Sequence, residues 1–312
     1  MSEYRFERIT ERHYQDLIYI SRSAFNIDPG IEYFRSKNNT GKFGETHLGY
    51  IAYSNADNSP AAFYGVYSHP FEIDGKVYSV VQSGDTMTHK SHVGKGLFTT
   101  LAKMTYKLAE EKGAALVYGF PNDNSYPGFV RKLDWVHRDN INIYFIHATT
   151  LPLLKIAKKV SVFKPIYNVY LNFIDLFFKS QIDCFPNSVI EKNIGGISHN
   201  KDFVSYKSFN GGKIVSISNT PVWLKHDGFL FIGDIDRQVS LHFEAFINKL
   251  KWYARLTGSD KIQFGFAPDS FWDKIFCKKF AQVKGAAFGY LKFDDDFPIE
   301  KFQYTQADID TF

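Results

Sequence analysis

The succession of strand and helix signals along this chain of 312 residues predicts a mixed α/β (α+β) fold, a mostly antiparallel sheet flanked by helices. Three observations carry that expectation. Short β-branched and aromatic runs follow one another as hairpins through the first third of the sequence. Two glycines, Gly94 and Gly96, stand between a strand and an amphipathic helix. After residue 200, a second series repeats the same glycine-bearing strand ends. A hydrophobic content of 44% against 22% charged residues is that of a packed core, and the length suits two domains of about 150 residues each.

Taken in order, Tyr4–Ile9 reads as a strand. Thr10 opens a helix with apolar positions Tyr14, Leu17 and Ile18, ending near Phe25. Residues 26–39 read as a loop holding one helical turn at Ile31–Ser36. His47–Tyr53 and Ala61–Tyr67 are strands, and Asp74-Gly75 marks a hairpin leading into Lys76–Gln82. Beyond the glycine turn, Leu97, Leu101, Met104 and Leu108 recur at helical spacing, with Gly113 at the C-cap. Ala114–Phe120 is a buried strand, Asn122–Leu133 a short helix and Ile141–His147 a closing strand.

The turn carries the chemistry. In His92-Val93-Gly94-Lys95-Gly96-Leu97-Phe98, glycines let a ligand approach the backbone closely, and the first helical turn presents free N–H groups and the positive end of its dipole. Lys95 adds a charge, and a diphosphate is the expected guest. The second half then repeats the pattern. Gly84-Asp85 and Gly119 have counterparts in Gly233-Asp234 and Gly265, the glycines of each pair being 35 and 32 residues apart. A helix at His242–Arg255 lies between the second pair, and Ala287–Phe293 is its closing strand. Phe203–Phe209, the turn Asn210-Gly211-Gly212 and Lys213–Ser218 read as a hairpin before it. Asp236-Arg237-Gln238-Val239-Ser240 holds no glycines, so this unit is expected to bind no diphosphate.

The strand-turn-helix with Gly94-Lys95-Gly96, the strand Val117-Tyr118-Gly119-Phe120 followed by Pro121-Asn122-Asp123-Asn124-Ser125, and the ending Arg131-Lys132-Leu133-Asp134-Trp135 together resemble the GNAT N-acetyltransferase superfamily over residues 4–148. That resemblance implies acetyl-CoA as co-substrate, with its pyrophosphate on the turn and its pantetheine between splayed fourth and fifth strands. It implies contacts from Met87, Thr88, Val93, Gly94, Lys95, Gly96, Leu97, Phe98, Asn122, Asn124 and Ser125. Asn122, Asn124 and Ser125 read equally as plain helix caps. Acetyl would pass to a primary amine by direct attack, the first guess for the acceptor being an amino sugar. Asp85 stands where a base is needed and Tyr126 where an acid could reach. His89 and His92 flank the turn. Asp85 has a competing structural reading, because Asp234 repeats it.

The sequence departs from the family pattern at three places. Val93 or Ser91 holds the position of an Arg or Gln, Phe98 that of the second small residue, and Val130 that of the usual tyrosine. Two rival readings follow, a non-catalytic CoA-binding or scaffold protein and a Fem-like transferase using aminoacyl-tRNA. The tandem order, one unit without the turn, resembles the enhanced-intracellular-survival transferases, in which the chain's end, here Asp308–Phe312, supplies a base. Domains are expected at 1–150, at 151–185 as a helical connector and at 186–312.

The connector alternates Lys155, Lys158, Lys159, Lys164 and Lys179 with apolar residues. It reads as two packed helices broken at Pro165, or else as a basic amphipathic element on a membrane or lipid-linked substrate. The net charge of +4 is too mild for a nucleic-acid partner. Cys184 and Cys277 make no disulfide framework, no metal cluster stands out, and the N-terminal stretch has no apolar signal core, so a cytoplasmic location is expected.

Overall fold

A computed structural model describes residues 3–312. The chain runs β1 Tyr4–Arg8, α1 Tyr14–Phe25, α2 Ile31–Lys37, β2 Leu48–Ser54, β3 Pro60–Ile73, β4 Lys76–Thr88, α3 Leu97–Glu111, β5 Leu116–Gly119 and α4 Tyr126–Lys132. There follow β6 Val136–His147, α5 Leu153–Lys159, α6 Phe163–Phe177, the short β7 Gly196–Ile197, α7 Lys201–Lys207, β8 Lys213–Ile217 and β9 Thr220–His226. The last elements are β10 Leu230–Ile235, α8 Phe243–Leu256, β11 Lys261–Phe266, α9 Phe271–Phe276 and β12 Gln282–Lys292. The mixed, mostly antiparallel architecture is the expected one.

The chain divides into two compact units, and neither is continuous in sequence. One comprises residues 1–139 and 286–300, the other 140–285 and 301–312. In the first, strands lie in the order β1-β2-β3-β4-β5-β12. Here β4 and β5 are parallel and the remaining pairs antiparallel, with Gly289 opposite Gly119. In the second, the order is β6-β11-β10-β9-β8, with β10 and β11 parallel and Lys261 opposite His147. Each unit is thus a meander, one parallel pair and an antiparallel closing strand. The closing strands are exchanged: β6 follows the first meander in sequence yet closes the second unit, and β12 closes the first. Expected as the closing strand of the first unit, residues 141–147 pair with β11 instead.

Alternation along the strands of the first unit sends side chains into two cores. Leu97, Leu101 and Ala109 of α3 and Phe129 of α4 pack on one face with Tyr64, Val81 and Val117. Leu17, Ile18 and Ile20 of α1 and Phe34 of α2 pack on the other with Ile51, Phe63 and Met87. In the second unit α8 and α9 cover the sheet, Leu250, Tyr253, Trp272 and Phe276 meeting Ile232 and Phe264.

Two local expectations are overturned. Residues 203–209 are helical rather than extended, because Asn200 caps α7 by accepting the Phe203 N–H at 2.9 Å. The hairpin there is β8–β9, with Ile217 opposite Thr220. The connector breaks at residues 160–162 and not at Pro165, which lies in the first turn of α6, where its missing N–H costs nothing.

Candidate active site

The first unit's site begins with a defect in β4. Gly65 lies opposite Gly84 and Phe63 opposite Met87, so Asp85 and Thr86 together face the single residue Tyr64. That is a β-bulge, and Asp85 takes a left-handed φ of 50° within it. On its other side β4 pairs with β5 only at Val81–Val117 and Gln82–Tyr118. β5 then ends at Gly119 while β4 runs on to Thr88, leaving a gap between two parallel strands. His89 gives its N–H to Ala61 O, so the alternation of the ladder turns the Thr88 N–H away from β3, toward that gap. Met87 offers nothing there, because the same alternation turns its N–H toward β3 and its side chain is buried against α1 and α2.

The glycine turn follows directly. Gly94 (φ 84°) and Gly96 (φ 76°) hold conformations that L side chains rarely adopt, and a Cβ on either would meet nothing within 4 Å. Gly96 precedes α3 and its carbonyl accepts the Thr100 N–H at 3.2 Å, leaving the N–H groups of Leu97, Phe98 and Thr99 outside the helix ladder. Leu97 itself is buried and Val93 is exposed. Lys95 reaches Glu3 at 3.1 Å, and the Glu3 carboxylate pushes the lysine's pKa up. Phe98 turns beneath α4. Its ring lies edge-on to Tyr64 and Phe129, and Gly128 makes the room, since a Cβ there would stand 3.0 Å from it.

Asp85 is the centre of a cluster that the sequence reading did not assemble. Tyr67 donates to its Oδ2 at 2.7 Å and Tyr33 to its Oδ1 at 3.3 Å, while Lys37 Nζ lies 3.0 Å from Oδ2. The Lys37 side chain is 1% exposed and sits over the rings of Tyr33 and Tyr67. The one available signal was the i, i+4 spacing of Tyr33 and Lys37 on α2. Asp234 repeats the theme in the second unit. It follows a bulge at Gly233 and lies 3.6 Å from His199, a residue buried completely and bonded to Asp308 at 2.8 Å.

The remaining candidates are spread around the gap. Asn122 Oδ1 accepts the N–H groups of Asn124 (3.1 Å) and Ser125 (3.0 Å), and Ser125 Oγ returns to Asn122 O, so these three close a turn just before α4, whose own N-cap Ser125 makes no side-chain cap bond. Tyr126 is half-buried, its ring edge-on to His137 at 5.6 Å. It makes no hydrogen bond to Asp85, whose contacts are on the α2 side. His92 Nδ1 is held by Tyr4 Oη at 2.9 Å. His89 stacks on Tyr19, and partial burial, with the charges of His92 and Lys90, pulls its pKa down. A further chain of buried hydroxyls ends at the gap. Trp135 Nε1 donates to Tyr106 Oη, which bonds Tyr64 Oη at 2.7 Å, which bonds Ser83 Oγ at 2.7 Å. Burial holds the Tyr64 and Tyr106 phenols in their neutral form.

Residues 5–138 match the model of the acetyltransferase (GNAT) domain. Over that stretch the chain is similar to GNAT acetyltransferases. The bulge, the gap and the glycine turn all lie within the matched residues. Three solved structures share the fold. A conserved protein of unknown function from Enterococcus faecalis is 14% identical with a TM-score of 0.63, the match covering 96% of this chain and 75% of that one. GCN5-related N-acetyltransferases from Anabaena variabilis and Kribbella flavida are each 10% identical, with TM-scores of 0.57 and 0.54. Those matches cover 93% of this chain and 73% and 71% of the others. No curated protein matches the sequence.

In the second unit the corresponding gap is filled from within. β10 and β11 pair as far as Ile232–Phe264, and the segment Thr305–Phe312 lies where they part. A Cβ on Gly233 would come within 2.4 Å of the Phe312 ring, and one on Gly265 within 2.4 Å of Gln306 Oε1. Lys207 and Lys225 hold the segment through the carbonyls of Ile309 and Thr311, each at 2.7 Å. The end of the chain therefore packs within the second unit.

Proposed function

We propose that the GNAT domain transfers acetyl from acetyl-CoA to the primary amine of a small acceptor, with an amino sugar the first candidate. The observation carrying this reading is the sequence of bulge, gap and glycine turn along one strand-to-helix junction. N–H groups of Leu97, Phe98 and Thr99 would hold the diphosphate, aided by Lys95 once it turns from Glu3. The Thr88 N–H, on the gap side of β4, would hydrogen-bond the acyl oxygen. Acetyl-CoA supplies a thioester whose carbon bonds the acceptor nitrogen as the C–S bond breaks. Asp85 would receive the proton leaving the nitrogen, through its Oδ1, the oxygen less engaged by Lys37. Tyr126 would give a proton to the departing sulfur.

Calorimetric titration of acetyl-CoA into the wild type and Gly96→Glu tests the reading. The substitution sets a carboxylate where the diphosphate would lie and strains a left-handed residue by about 1–2 kcal/mol, little enough for folding to persist. Binding in the wild type that the variant loses supports the proposal and justifies an amine screen by free-thiol release. Absence of binding in the wild type refutes it and favours a scaffold or a tRNA-dependent transferase. Binding without turnover on any amine favours the scaffold.

A further inference from the structure

The connector helix α6 packs by one face and leaves another open. α6 is anchored by one face, where Tyr167, Leu171 and Ile174 are buried. Tyr167 and Tyr170 donate their hydroxyls to Thr257 O and Leu256 O at 2.5 Å each, fixing the helix against the end of α8. The opposite face is also apolar, and it is open. Ile166, Val169, Phe173, Leu176 and Phe177 are 66%, 70%, 56%, 73% and 71% exposed. Their spacing of three and four residues makes one continuous stripe along the helix. An exposed apolar patch of this kind marks an interaction surface.

The charges around the stripe select the partner. Lys159 at the end of α5, Lys164 in the first turn of α6 and Lys179 just past its end are exposed and make no ion pair among the described residues. Lys155 and Lys158 are engaged by Asp260 and Asp227, and Asp175, the acidic residue within α6, is bonded to Lys213. The rim of the stripe is therefore cationic at both ends. A second copy docked by a twofold on this face would bring Lys164 against Lys179 if the helices ran antiparallel and each lysine against its own copy if they ran parallel, like charge on like in both cases. An anionic lipid surface accepts the same arrangement: apolar side chains enter the acyl boundary while lysines reach the headgroups. Trp252 of α8, half exposed against Phe178 at the end of α6, is the side chain favoured at that depth. At 15 residues α6 is about 22 Å long, too short for a hydrocarbon core of about 30 Å, and no helix among the described residues is long and apolar enough to cross a membrane.

We infer that α6 lies in the plane of an anionic membrane surface and docks the protein there. This rests on the second unit alone and stands whether or not the acyl-transfer reading holds. The test is co-sedimentation of the full chain with vesicles of phosphatidylcholine containing about one third phosphatidylglycerol, beside vesicles of phosphatidylcholine alone. The wild type should pellet with the anionic vesicles and lose most of that binding on neutral ones. Phe173→Glu with Leu176→Glu, both exposed positions, should lower the partition by about tenfold or more at unchanged circular dichroism. Lys164→Glu with Lys179→Glu should weaken binding to the anionic vesicles alone. A wild type left in the supernatant, equal binding to both vesicle types, or binding by Phe173→Glu with Leu176→Glu equal to that of the wild type overturns the inference. So does a dimer in light scattering that the same variant dissolves, which would assign the stripe to a second copy.

Discussion

The pairing of Asp85 with Lys37 separates a catalytic carboxylate from a structural one, because its two ends are buried to different degrees. Lys37 is 1% exposed at the side chain and Asp85 16%. Asp85→Asn leaves an ammonium in the interior with its carboxylate gone, and losing one partner of a buried pair costs about 3–5 kcal/mol. Lys37→Met leaves the carboxylate, which still accepts from Tyr67 and Tyr33 and reaches water, so the cost should fall to about 1–3 kcal/mol. The double variant removes both charges and should be more stable than Asp85→Asn alone. Urea unfolding of the four proteins gives the cycle, and CoA release with an amine acceptor gives the rates. If Asp85 takes the proton, both variants lacking it lose about 10²–10⁴-fold in kcat, and Lys37→Met keeps most of the activity. If activity follows stability instead, recovering in the double variant, Asp85 only holds the bulge. Equal destabilisation by the two single variants would refute the asymmetry reasoned from burial.

Tyr126→Phe should lower kcat by about 10²-fold or more at unchanged KM for acetyl-CoA, measured by free-thiol release, with the thermal midpoint unmoved. Gly233→Ala should cost about 1–3 kcal/mol in urea unfolding, since its Cβ would press on a ring that is itself buried. Stability should also depend on His199. Burial alone would pull its pKa down, but the charge of Asp308 and the nearby Asp234 more than offset this and raise it to about 9. A histidine whose folded value is raised stabilises fully below its unfolded value of about 6.5, and that stability is lost as pH climbs through the folded value. Thermal midpoints should therefore hold below pH 6.5 and fall toward pH 9, and His199→Gln should flatten that slope.

Much of the first unit was legible because its signals are local. Asp74-Gly75 sets a hairpin, and Gly94 and Gly96 set a turn whatever surrounds them. The repeat of Gly84-Asp85 by Gly233-Asp234 was legible too, but its cause was not: Gly233 is small for Phe312, a residue far along the chain. The cluster on Asp85 escaped for a similar reason. Lys37 sat in a stretch read as a loop with one helical turn, and nothing local brings it to residue 85. Strand pairing is the least local property of all. The runs at 141–147 and 287–293 were recognised as closing strands, but the choice of partner is made by the sheet edges of β5 and β11, which no single stretch encodes. Exposure of the α6 stripe likewise follows from what does not cover it.

The exchange of closing strands has a consequence for the gene. The polypeptide passes from one unit to the other three times, after residues 139, 285 and 300, so no single cut in the reading frame releases a whole unit. A fragment ending at residue 150 would carry the glycine turn and the bulge yet leave the outer edge of β5 without β12. Such an edge invites association with another chain. Insertions, tags placed between halves and domain transplants must respect this interlacing. A heritable change in the last tenth of the sequence can alter a sheet that carries the proposed active site near the beginning.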